Sequence, residues 1–106
     1  MRIIGGNRRG ALLTKLDATS TRPTTDRVRE SLFNILQGGR FESRLAGTTV
    51  IDLFAGTGAL GLEALSRGAA HASFVEAAPT ALAILRSNIA KLRYQRLSRV
   101  IAGDAT

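Results

Sequence analysis

At 106 residues the chain has room for one domain, or for part of one. Fifteen Lys and Arg face eight Asp and Glu, a net charge of +7 carried almost wholly by arginine, and there is no cysteine. Disulfide scaffolds and thiolate metal sites are thereby excluded, and no apolar run approaches the roughly 20 residues that span a bilayer. The first residues also lack the apolar stretch of a secretory signal, so a soluble, cytoplasmic protein without a metal is expected.

Guanidinium groups pair with phosphate through two parallel hydrogen bonds and stack on bases, so the charge balance suits a nucleic-acid partner. An arginine-rich proteome would give the same count, but position favours a specific use. Nine of the basic residues and only four of the acidic ones precede position 46.

In chain order, residues 1–13 predict a short β-hairpin. Arg2-Ile3-Ile4 and Ala11-Leu12-Leu13 flank the turn-rich Gly5-Gly6-Asn7-Arg8-Arg9-Gly10, with Arg8 and Arg9 projecting at its tip. Residues 15–21 form a polar connection. A helix then runs from about Pro23 to Gln37, with Thr24 or Thr25 as N-cap and Asp26 at the positive end of the dipole. Val28, Leu32, Ile35 and Leu36 make its apolar stripe, and Gly38-Gly39 ends it. Residues 40–48 read as a linker, which divides a basic N-terminal hairpin and helix (1–45) from a second unit (46–106).

That second unit alternates strand and helix. Strands are expected at 49–53, 72–76 and 99–102, and helices at 59–67, closed by Gly68, and from Pro79 to about Leu92. Pro79 suits the first turn of its helix, where the missing N–H costs nothing. Leu82, Leu85, Ile89 and Leu92 share a face. Strand–helix–strand–helix–strand at this spacing predicts a parallel α/β sheet with right-handed crossovers.

The chemistry centres on Val50-Ile51-Asp52-Leu53-Phe54-Ala55-Gly56-Thr57-Gly58-Ala59-Leu60-Gly61. An apolar strand entering a Gly-x-Gly turn that opens a helix is how open α/β sheets build nucleotide sites. Gly56, Gly58 and Gly61 also satisfy the dinucleotide fingerprint, so the glycines alone leave NAD open. Asp52 discriminates. A carboxylate at the strand end would repel a pyrophosphate and attract a cationic ligand, and S-adenosylmethionine carries both an ammonium and a sulfonium. Glu76 ends the second strand, 20 positions after Gly56, where it can accept bonds from both ribose hydroxyls. Asp104 ends the third strand, where it can accept from the adenine amine. A solvated glutamate and a Gly-Asp turn would look the same in sequence.

With acidic residues ending its first three strands, the chain resembles the class I S-adenosylmethionine-dependent methyltransferases. More narrowly, TRPTTDRVRESLFNIL (21–36) followed by DLFAGTGALGLEALSRGA (52–69) resembles the bacterial 16S rRNA (guanine-N2)-methyltransferases. The likeness implies a Rossmann-like sheet with strands ordered 3-2-1 here, out of 3-2-1-4-5-7-6 in the complete fold. It implies S-adenosyl-L-methionine as cofactor, held by Asp52, Phe54, Ala55, Gly56, Gly58, Glu76 and Asp104, with Arg22, Thr24 and Thr25 near its methionine end. It also implies 16S rRNA or the small ribosomal subunit as partner.

The family's Asn/Asp-Pro-Pro-aromatic element, which holds the target amine after strand four, has no counterpart. The only prolines are Pro23 and Pro79. The chain therefore resembles the N-terminal part of such an enzyme, truncated before strand four and inactive alone, and no catalytic residue is assigned. Arg8, Arg9, Lys15 and Arg22 are the RNA candidates. Tyr94 could stack on RNA but is expected to pack locally at a helix end, and His71 to sit in a turn. Strand 49–53, apolar and without protective lysines or prolines, would lie at an edge and favour self-association. A DNA adenine-N6 methyltransferase and a non-catalytic adenosine-nucleoside or nucleic-acid binding fragment are the competing readings.

Overall fold

The computed structural model describes residues 2–15, 46–53 and 55–103. The expected helix at 23–37 lies outside these residues, as do Arg22, Thr24, Thr25, Phe54 and Asp104.

Three strands, β1 (Thr49–Asp52), β2 (His71–Glu76) and β3 (Ser98–Ala102), form a parallel sheet in the order β1-β2-β3. Two helices, α1 (Ala59–Ser66) and α2 (Pro79–Lys91), make the crossovers. This is the expected α/β arrangement, with strand ends shifted by a residue or so. His71 pairs with Thr49 as the first residue of β2 rather than sitting in the preceding turn. The registers place Asp52 opposite Phe74 and Glu76 opposite Ala102, so β1 and β2 deliver their carboxylates to the same end of the sheet.

Side-chain alternation decides which face is covered. Ala72 and Phe74 of β2 point into the core and are fully buried. Ile51 and Ile101, on the opposite face, are 65% and 40% exposed. Buried positions run almost all round α1, because sheet, α2 and the N-terminal segment enclose it. Helix α2 buries the narrower stripe Ala81, Leu85, Asn88 and Ile89, and Pro79 occupies its first turn as expected.

Both helices end in the same six-residue hydrogen-bonded loop. In α1, Gly68 N–H donates to Leu65 O (3.2 Å) and Ala69 N–H to Ala64 O (3.0 Å). In α2, Arg93 N–H donates to Ala90 O and Tyr94 N–H to Ile89 O, both at 3.0 Å. This motif needs a left-handed residue after the cap. Gly68 supplies it with φ +113° in α1, and Arg93 supplies it with φ +60° in α2.

The N-terminal segment pairs less than a full hairpin. Arg2 bridges Leu12, Ile3 N–H donates to Ala11 O and Gly10 N–H to Ile3 O. The ladder stops there because Ile4 and Gly5 N–H both turn to the Glu63 carboxylate, at 2.9 Å each, and Gly6–Arg8 coils into a 3-10 turn. Ile3 and Leu13 then insert into the main core with Leu62, Leu65, Leu85 and Ile89.

Candidate functional site

The residues after β1 build a tight turn over the strand ends. Ala55 N–H donates to Val75 O (3.0 Å), tying the turn to β2, and Gly58 N–H donates to Ala55 O (2.8 Å). Gly58 has φ +89°, and a Cβ there would approach Leu85 Cδ1 to 2.5 Å. A Cβ on Gly61 would run into the Phe74 ring. These two glycines therefore let α1 start in this conformation and lie close against the sheet. Gly56 differs, since a Cβ on it would meet nothing within 4 Å among the described residues. None of the described residues fills the space on its outer side.

Two carboxylates brace this turn. Glu76 accepts from Gly56 N–H through Oε1 (2.7 Å) and from Ala78 N–H through Oε2 (2.9 Å), so one side chain joins the turn to the start of α2. Asp52 Oδ2 accepts from Gly61 N–H at 3.3 Å. Burial pushes the Asp52 carboxyl up from its ordinary value; the Gly61 N–H opposes this and the nearby Glu76 charge adds to it. Among the described residues neither carboxylate faces a cationic side chain. The site concentrates negative charge beside an open glycine, an environment that favours a positively charged ligand and disfavours a pyrophosphate.

Asp52, Ala55, Gly56, Gly58 and Glu76 are thus brought together. Gly103 N–H donates to Glu76 O (3.0 Å), which holds the end of β3 beside that of β2. The basic candidates fare differently. Arg9 and Lys15 are exposed. Arg8 does not project: its Nε donates to Leu92 O (3.0 Å), and its guanidinium carbon lies 4.9 Å from the Tyr94 ring centroid. The reason is Tyr94, which is buried and donates its hydroxyl to Asn7 Oδ1 (2.6 Å), leaving a ring face for the cation. The local packing expected of Tyr94 is what the structure has.

Two buried polar residues carry more than the sequence suggested. Glu63, besides holding Ile4 and Gly5, pairs with Arg67 Nε at 2.8 Å. Asn88 accepts from Thr14 N–H (2.8 Å) and donates to Thr14 O and Thr57 O (2.9 Å each), so it ties the N-terminal segment to the glycine turn. Their only sequence signal is a polar residue at a core-facing helical position.

Sheet order, glycine turn and strand-end carboxylates together define a Rossmann-like α/β fold of the class I methyltransferase type. A model of the family described as Conserved hypothetical protein 95 matches residues 1–106, and the chain belongs to that family. It is 47% identical over 105 residues to Ribosomal RNA small subunit methyltransferase D of Escherichia coli (strain K12), covering 99% of this chain and 50% of that protein. The protein of the same name from Haemophilus influenzae is 42% identical over 93 residues, 88% of this chain and 46% of its own. A solved hypothetical protein of Thermus thermophilus superposes with a TM-score of 0.78 at 36% identity, covering 98% of this chain and 56% of that one. The chain spans about half the length of the curated relatives it matches. No helix among the described residues is long and apolar enough to cross a membrane.

Proposed function

We propose that the whole protein is an S-adenosylmethionine-dependent methyltransferase acting on the exocyclic N2 amine of a guanine in 16S rRNA. The observation that carries this reading is the pair of carboxylates, Asp52 and Glu76, converging on an open Gly-x-Gly turn without a cation of their own among the described residues. A ligand that is cationic at one end and a nucleoside at the other fits that chemistry. The names of the Escherichia coli and Haemophilus influenzae relatives support rRNA as substrate.

In this proposal Asp52 attracts the positive end of the cofactor, and Glu76 accepts from the ribose hydroxyls. Each Glu76 oxygen already takes one backbone N–H, which fixes the carboxylate and leaves further lone pairs for a hydroxyl. Ala55, Gly56 and Gly58 supply the close backbone approach, with Phe54 beside them. Asp104 is assigned to the adenine amine, and Arg22, Thr24 and Thr25 to the methionine end. When bound, S-adenosylmethionine supplies an electrophilic methyl group. The Asn/Asp-Pro-Pro-aromatic element is not in these 106 residues, so the activity is proposed for the whole protein and no catalytic residue is assigned within them. On the substrate side, Arg9, Lys15 and Arg22 are proposed to meet RNA phosphates. Arg8 enters only through the loop it anchors.

Calorimetric titration with S-adenosylhomocysteine tests the cofactor assignment. Glu76→Ala should weaken binding on the order of 10- to 150-fold, the equivalent of one charge-assisted hydrogen bond of roughly 1.5–3 kcal/mol. Heat from NADH with none from S-adenosylhomocysteine would overturn it.

A further inference from the structure

We propose that the C-terminal end of α2, with Lys91, Arg93 and Arg96, together with Arg9 of the N-terminal loop fastened to it, is a second RNA-gripping surface separate from the glycine turn. It rests on the rRNA reading above and extends it to residues that no motif marks. From Ala77 to Gly103 the chain contains Arg86, Lys91, Arg93, Arg96 and Arg99 and no acidic residue. All five are exposed. The described acids are engaged elsewhere: Glu63 is buried against Arg67, and Asp52 and Glu76 brace the turn. Lys91 Nζ donates to the neutral Thr14 hydroxyl (3.1 Å), and among the described residues no carboxylate pairs with it.

The N-terminal loop is fastened to this end of the helix. Arg8 bonds Leu92 O and lies over Tyr94, whose hydroxyl bonds Asn7. Arg9, exposed, directly follows Arg8, whose guanidinium reaches the end of the helix that carries Arg93 and Arg96. Two chain segments far apart in sequence are thus fastened together, and each carries exposed basic residues that suit phosphate.

Cations at a helix C-terminus also serve the helix dipole, and Lys91 alone would meet that need. Arg93 is what dipole compensation does not explain. It occupies the left-handed position that closes the helix, where α1 uses Gly68. An L-residue there is strained, glycine is the residue that folding favours, and the arginine side chain reaches solvent. A strained residue that folding does not ask for points to function.

This gives a substitution in which folding and binding move apart. Arg93→Gly in the whole protein relieves the backbone and removes one charge. Its melting temperature should stay level or rise, and its affinity for S-adenosylhomocysteine should stay unchanged. Its binding to 16S rRNA should weaken, with the slope of log K against log salt reduced by about 0.7 to 0.9. The triple variant Lys91→Gln, Arg93→Gly, Arg96→Gln should lose about two to three units of slope. Unchanged affinity and slope in both variants, with the unsubstituted protein binding RNA, would overturn the surface and leave the methyltransferase reading standing. An unsubstituted protein that binds S-adenosylhomocysteine but not 16S rRNA would overturn the rRNA reading, and the surface with it.

Discussion

Burial disfavours the charged form of Asp52. Burial raises its folded pKa above the unfolded value, so the stability linked to its proton is full below the unfolded pKa and is lost as pH rises through the folded one. Asp52→Asn keeps an oxygen for the Gly61 N–H and discards the charge. It should raise the melting temperature at neutral pH, with the gain fading in acid, while weakening S-adenosylhomocysteine binding. Melts from acid to neutral pH check this; a variant less stable at every pH would make Asp52 a structural residue. Asn88 has the opposite character, because its three bonds satisfy backbone groups of Thr14 and Thr57. Asn88→Leu should cost about 2–4 kcal/mol in a urea titration, since it strands several buried polar groups at once. A loss under about 1 kcal/mol would mean that these groups find other partners. Asp52 and Glu76 were legible from their places at strand ends. Asn88 and Glu63 were not, because the backbone groups they hold in the N-terminal segment lie 58 to 74 positions away.

At the scale of elements, legibility followed local signals. Gly68 marks the end of α1 in sequence, and Pro79 marks the start of α2. The same helix-closing loop after α2 carries no such mark, because Arg93 stands where glycine would announce it. The hairpin was overdrawn for a tertiary reason: Glu63 takes the N–H groups of Ile4 and Gly5 that would have extended the ladder. Strand β1 pairs with β2 on one side and has no partner on the other among the described residues. With Ile51 65% and Leu53 51% exposed beside that edge, we expect the 106-residue chain to associate with itself there. Sedimentation velocity should detect dimers or larger species at micromolar concentration, and Ile51→Lys should shift them toward monomer. A monomer before and after the substitution would count against pairing at this edge.

Across the whole molecule, opposite charges are sorted to different work. The described carboxylates gather at the glycine turn or inside the core, and the exposed arginines spread over the N-terminal loop and the end of α2. The cofactor half of this reading was visible in sequence because a short turn motif and three strand ends carry it. The basic surface was hidden, because the loop that carries Arg9 is fastened to the end of α2 only through the long-range contacts of Arg8 and Tyr94. Whether the two regions serve one reaction is decided by the product. Unmodified 16S rRNA, free or in small subunits, should be incubated with the whole protein and methyl-labelled S-adenosylmethionine, then digested to nucleosides. The account predicts label in N2-methylguanosine, and label in N6-methyladenine of a DNA control alone, or in no nucleoside at all, would contradict it.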